Sequence, residues 1–102
     1  MSFDFKGTRV LVAGGSRGIG RAMVLGFAAA GADVAFCARG AQALEATRAE
    51  AAALGVQAHA APCDLANAGA VAAWVQAAAG ALGGIDLLVN NASGFGMGDD
   101  EA

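Results

Sequence analysis

Val10-Leu11-Val12-Ala13-Gly14-Gly15-Ser16-Arg17-Gly18-Ile19-Gly20 is an apolar run that passes directly into a glycine-rich turn and then into a helical pattern. Gly14, Gly18 and Gly20 fall where a chain leaving a strand turns tightly beside a phosphate. Gly14 can adopt backbone angles closed to other residues, and Gly18 has no side chain to hold a ligand away. Gly20 lets the following helix sit close against the strand. That helix aims its unpaired N–H groups and positive dipole end at a pyrophosphate. Glycine clusters are common; a strand before this one and a helix after it make it a signal of dinucleotide binding. Ser16 has two compatible readings, a helix cap and a phosphate contact.

Outward from that stretch, strands and helices alternate. Arg9 to Ala13 reads as a buried strand. Ile19, Met23, Phe27 and Ala30 recur at helical spacing, and Gly31 supplies a stop. Val34 to Ala38 is a second apolar strand. A helix follows with Leu44, Thr47, Ala51 and Leu54 on one face, stopped by Gly55. Val56 to Ala61 forms a third, less hydrophobic strand that leads out through Pro62-Cys63-Asp64. Val71, Trp74, Val75, Ala78 and Leu82 mark a third helix, closed by Gly83-Gly84. Ile85 to Val89 is a fourth strand, ending at Asn90-Asn91-Ala92-Ser93. Strands this apolar predict a parallel sheet with helices on both faces. Ligands of such sheets bind beyond the carboxyl ends of the strands. The glycine turn, Arg39, Asp64 and the Asn90-Asn91 pair all fall at those ends.

Composition narrows the class. A chain of 102 residues with 57% hydrophobic content fits one globular unit rather than a disordered segment. It has no apolar run long enough to span a membrane, and Met1-Ser2-Phe3-Asp4-Phe5-Lys6 lacks the pattern of a secretory signal. Cys37 and Cys63 have neither metal-ligand spacing nor the density of a disulfide scaffold, so a cytoplasmic protein with reduced thiols is expected. A net charge of -3 argues against general affinity for nucleic acid. Trp74 belongs to the core, His59 to a structural position, and Cys63 reads as a small buried filler. Arg21 and Arg48 read as solvated helix charges. Residues 94–102 form either a loop over a ligand or a disordered end.

Three motifs in order resemble the short-chain dehydrogenase/reductase family. The family's glycine motif runs Thr-Gly-x-x-x-Gly-Ile-Gly, and Ala13-Gly14-Gly15-Ser16-Arg17-Gly18-Ile19-Gly20 stands here. Cys63-Asp64-Leu65 matches the place where the family sets an aspartate after its third strand to hold the adenine ring. Asn90-Asn91-Ala92-Ser93 matches its Asn-Asn-Ala-Gly. Two positions depart: Ala13 replaces a threonine that helps tie the first motif to the asparagines, and Ser93 replaces a glycine. The resemblance implies an α/β fold, a doubly wound parallel sheet of Rossmann type, with only the first half present. It places the dinucleotide-binding unit in residues 1–93. It implies cofactor contacts from Gly14, Ser16, Arg17, Gly18, Ile19, Gly20, Arg39, Asp64, Leu65, Asn91, Ala92 and Ser93. Asp64 also keeps a plainer reading as a turn or capping residue.

Charge distinguishes the cofactors. NAD sites of this kind carry an acidic residue at the end of the second strand for the ribose 2′-hydroxyl. Asp33 stands at the start of that strand, the edge away from the ligand, whereas its far end is Ala38-Arg39. Arg39 offers a planar fork of donors for a phosphate, and Arg17 can reach the same group. Arginines at these places resemble the family's NADP(H)-preferring pattern; NAD(H) is the second choice.

The family reduces carbonyls or oxidises alcohols with a Tyr-x-x-x-Lys pair and an upstream serine, the tyrosine exchanging a proton with substrate oxygen. This chain has no tyrosine, and its lysine is Lys6. The expectation is therefore the cofactor-binding part of a larger, homo-oligomeric oxidoreductase, inactive when made alone, with no catalytic residue assignable. Two other readings stay open: a nucleotide-binding module without catalysis, and half of a methyltransferase. Ala38-Arg39 speaks against the second, because such enzymes keep an acid there for a ribose hydroxyl.

Overall fold

The computed structural model describes residues 4–15 and 18–91. Within them run β1 (Arg9–Ala13), α1 (Gly18–Ala29), β2 (Asp33–Ala38), α2 (Ala41–Ala52), β3 (Ala58–Pro62), α3 (Ala68–Leu82) and β4 (Leu87–Asn90). The strands form one parallel sheet in the order β3-β2-β1-β4. Val10 stands beside Val34 on one flank and Leu87 on the other.

Side chains alternate across a strand, and that alternation builds two cores. Val10, Val12, Val34, Phe36 and Ala38 bury against Val24 and Ala28 of α1 and Leu44 and Ala51 of α2. Leu11, Ala13, Ala35 and Cys37 bury on the opposite face against Trp74, Ala78 and Leu82 of α3. Coverage on both faces explains why β1 and β2 read as unbroken apolar runs. The helix ends follow local chemistry. Asn67 Oδ1 accepts from Ala70 N at 3.0 Å and caps α3. Gly83, at φ +87°, terminates the same helix in the left-handed conformation that favours glycine.

Three details differ from the pattern in the sequence. The buried stripe of α1 is Gly20, Val24 and Ala28, not Ile19, Met23, Phe27 and Ala30. Ile19 is 71% exposed, and Met23, Phe27 and Ala30 line a shallow apolar cleft with Phe5 and Gly26. Contact begins at the residue small enough to touch the turn, Gly20, and positions four and eight residues on follow it onto the sheet. Leu54 is 49% exposed because α2 ends at Ala52, leaving it in a turn closed by Gly55 N–H to Ala52 O. β4 is apolar but open, with Leu88 49% exposed, because it is an edge strand on which no described helix packs.

At the amino-terminal edge of the sheet, Arg9 clamps the entry to β4. Its Nε donates to Asp86 Oδ2 at 3.0 Å, its Nη1 to Gly83 O at 2.8 Å, and its backbone N–H to Asp86 Oδ2 at 2.8 Å. Hydrogen bonds from Arg9 hold the Asp86 carboxyl below the usual carboxylate range. Stability from this contact is present above the unfolded carboxyl value, about 3.9. It is lost as pH falls through the lower folded value. Both partners are partly exposed, so the effect is small. Asp86→Asn in the full-length protein should lower Tm at about pH 7, and the difference should shrink as pH falls below the usual carboxylate range. Thermal melts across this range check it; an unchanged Tm at neutral pH would remove the carboxylate from the account.

Candidate dinucleotide-binding site

Parallel strands deliver all their carboxyl ends to one edge. From β1 the chain moves to β2 on one flank, while β4 takes the other. The gap beyond β1 and β4 is therefore the point where the strand order reverses, the usual ligand crevice of such sheets. The glycine turn and Asn91 meet there.

The turn is held from both flanks. Gly14, at φ +93°, and Gly15 both donate their N–H groups to Cys37 O, at 2.7 and 3.1 Å. From β4, Asn91 N donates to Ala13 O at 2.9 Å, and Asn91 Nδ2 donates to Gly14 O at 3.2 Å. Ala13 has no hydroxyl to offer, and the contact between the ends of β1 and β4 is made by Asn91.

The glycines divide by what limits them. A Cβ on Gly20 would lie 1.8 Å from Gly14 O and 2.8 Å from Asn91 Nδ2, so α1 can approach this closely only without a side chain. Gly18 lies in open space, with nothing within 4 Å of a Cβ, and its requirement is conformational, at φ +59°. Gly15 was not singled out by the sequence reading, yet a Cβ there would meet Phe36 Cβ at 2.7 Å. Its signal was available as the second glycine after a strand whose neighbour carries Phe36. Cys37 was likewise missed as an anchor, since a backbone carbonyl leaves no mark in side-chain patterns.

The charged residues sort by edge. Arg39 is exposed directly after β2, at the carboxyl edge. Asp33 lies at the opposite edge, where its Oδ1 accepts from Gln57 N at 2.9 Å. Asp64 is exposed at the carboxyl edge after β3, and its Oδ1 accepts from Ala66 N at 3.0 Å, the turn role weighed for it. Leu65 packs partly buried against the α3 core. Ile19 projects at the first turn of α1. Ser16, Arg17, Ala92, Ser93 and residues 94–102 lie outside the described residues. Arg21 and Arg48 are not isolated charges: Arg21 pairs with Glu50 across α1 and α2, and Arg48 with Glu45 within α2.

Cys37 and Cys63 are free, buried thiols. Burial first, then the neighbouring Cys63, pushes the Cys37 thiol up to about 12. That burial keeps the thiol in its neutral form at neutral pH, and Cys37 packs with Leu11, Ala13 and Trp74 in the core on the α3 face of the sheet.

The short chain dehydrogenase profile matches residues 8–102. The chain belongs to the short-chain dehydrogenase family. It is 40% identical over 84 residues to an uncharacterized oxidoreductase of Mycobacterium tuberculosis, covering 82% of this chain and 32% of that protein. It is 39% identical over 90 residues to gluconate 5-dehydrogenase of Gluconobacter oxydans, covering 88% of this chain and 35% of that one. The fold superposes with a TM-score of 0.85 on a short-chain dehydrogenase/reductase from Serratia marcescens, at 40% identity, covering 89% of this chain and 38% of that one. A blue fluorescent protein from a metagenomic library, solved in complex with NADPH, gives a TM-score of 0.83 at 41% identity, with 88% and 38% covered. The chain spans about a third of the length of the curated relatives it matches.

The contrast between Gly20 and Gly18 is testable. In the full-length protein, Gly18→Ala should cost about 1–2 kcal/mol, the penalty of a left-handed residue. Gly20→Ala should cost more, because a methyl group must displace a backbone carbonyl rather than a flexible side chain. Urea denaturation of both variants checks the order. Equal losses, or the reverse, would show that α1 does not rest on the Gly14 carbonyl.

Proposed function

We propose that this chain is the cofactor-binding part of an NADP(H)-dependent oxidoreductase that reduces a carbonyl or oxidises an alcohol by hydride transfer. The observation that carries the reading is the glycine turn at the reversal of strand order, where Gly20 admits α1 against Gly14 O and the space beside Gly18 is open. That cradle fits a pyrophosphate, with the amino-terminal end of α1 turned toward it. When bound, the nicotinamide supplies or receives the hydride. Within this reading, residues 1–93 are the binding unit.

Support for NADP(H) over NAD(H) comes from the end of β2. Asp33 is engaged at the far edge with Gln57, and Arg39 is the charged residue that follows the strand. The helix beyond it, α2, begins at Gly40 with no side-chain cap and no acid in its first turn. A 2′-phosphate there meets a cation and a helix amino terminus, and the end of β2 itself carries no carboxylate. Ser16, Arg17, Ala92 and Ser93 complete the contacts in this proposal, and Asp64 with Leu65 borders the adenine. The proton that accompanies the hydride is assigned to groups outside these residues, since the chain has no tyrosine and its lysine precedes β1. The small carbonyl or alcohol substrate, the homo-oligomeric state and a cytoplasmic location with reduced Cys37 and Cys63 belong to the same proposal. Among the described residues, no helix is long and apolar enough to cross a membrane.

A charge-assisted bond to phosphate contributes about 1.5–3 kcal/mol, and about 1.4 kcal/mol is tenfold in affinity. Arg39→Ala in the full-length protein should weaken NADP(H) about ten- to a hundredfold and leave NAD(H) nearly unchanged. Calorimetric titration with both cofactors checks it. Equal losses would assign Arg39 to the fold instead.

A further inference from the structure

We propose that Cys37 and Cys63 are a redox-sensitive thiol pair, which a peroxide closes to a disulfide and which thereby lowers cofactor affinity at the carboxyl edge of the sheet. The inference rests on the dinucleotide-binding reading above and adds a means of regulating that same site.

The register of β2 and β3 builds the pair. Cys37 stands beside Ala61, and Cys63 follows two residues later, so its side chain returns to the same face of the sheet. Cys63 continues the ladder, its N–H donating to Ala38 O at 2.8 Å. Both thiols are free and share one buried cluster with Trp74. The Cys63 side chain is also a hydrogen-bonding neighbour of the Cys37 thiol. The two are not equivalent. Cys37 is fully buried in a central strand, whereas Cys63 keeps 8% of its surface open, beside the exposed Asp64.

This asymmetry orders the reaction. The Cys63 thiolate attacks hydrogen peroxide: an S–O bond forms, the O–O bond breaks, and hydroxide leaves with the proton that Cys63 released. Cys37 then attacks the Cys63 sulfenic acid. The S–S bond forms, the S–O bond breaks, and the departing hydroxide takes the Cys37 proton as water. Two thiols have given up two electrons, and one peroxide has become two waters. Diagonal positions across two strands are wider apart than the about 4.4–6.8 Å that a disulfide usually spans between Cα atoms. Closure therefore draws the end of β3 toward β2, since β3 is the edge strand of the described sheet. Two parts of the cofactor edge are strained by that shift. One is Asp64, next in the chain; the other is Cys37 O, which receives the Gly14 and Gly15 N–H groups.

The test uses the full-length protein, hydrogen peroxide and NADP+. After peroxide treatment, peptide mapping by mass spectrometry should find Cys37 linked to Cys63, and dithiothreitol should undo the link. Calorimetric titration should show NADP+ affinity about tenfold lower in the oxidised protein, the size of one lost hydrogen bond at the turn. The reductant should restore it. Cys63→Ala and Cys63→Ser, either of which serves if the other fails to fold, should bind NADP+ as reduced wild type does, before and after peroxide. Absence of the link overturns the proposal, as does a Cys63 sulfinic acid beside a Cys37 that stays reduced. A disulfide that leaves affinity unchanged overturns it too, and so does an affinity loss that persists in the Cys63 variants. Reduced wild-type protein that fails to bind NADP+ overturns the dinucleotide reading instead, and the mapped link then decides the thiol pair by itself.

Discussion

The Gly14 carbonyl oxygen lies 1.8 Å from the point where a side chain on Gly20 would begin, and the arrangement of the molecule depends on that approach. It sets the depth of α1 over the sheet. With Gly20 in contact, Val24 and Ala28 fall onto the face that Val10, Val12, Val34 and Phe36 present. Ile19 is turned out to solvent for the same reason. The approach also brings the helix amino terminus, with its unpaired N–H groups, to the carboxyl edge of β1. One steric condition thus sets both the packing of α1 and the place of its amino terminus.

Much of this was legible in the residues. Alternation of apolar runs with helical spacing gave four parallel strands, and the Gly14 to Gly20 spacing located the turn. The rotation of α1 was not legible. Hydrophobicity ranks Ile19, Met23 and Phe27 above Gly20 and Ala28, but the close approach selects for size, and the smaller residues occupy the interface. β4 misleads in another way. An apolar run such as Leu87-Leu88-Val89 shows that burial is favourable, not which neighbour supplies it, and no described helix covers the strand. The role of Cys37 was invisible because it acts through its backbone carbonyl, which any residue carries.

The departure at Ala13 shows how a motif can lose a residue and keep its geometry. The contact between the ends of β1 and β4 passes through two consecutive carbonyls, Ala13 O and Gly14 O, both received by Asn91. Backbone acceptors are independent of side-chain identity, so this stitch does not need a hydroxyl at position 13. Asp64 carries a parallel lesson. Its Oδ1 shapes the turn by accepting from Ala66 N, while the helix cap belongs to Asn67.

The two edges of the sheet handle charge in opposite ways, and that difference bears on cofactor choice. At the amino edge, Asp86 is clamped by Arg9 and Asp33 receives the Gln57 N–H, so both carboxylates join strands to their connections. Asp33 enters β2 in register with Arg9, at the bottom of the ladder, and the strand length carries the chain away from it before Arg39 is reached. Strand residues advance about 3.3 Å each, so the separation between Asp33 and Arg39 is on the order of 20 Å. A carboxylate that far away, already hydrogen-bonded, exerts little force on a phosphate at the other edge through more than one Debye length of about 8 Å. The field beside the end of β2 is therefore set locally, by Arg39, by the start of α2 at Gly40 and by Asp64 after the neighbouring β3. An acidic residue in the right segment of sequence is thus removed from the cofactor edge by where it stands along its strand.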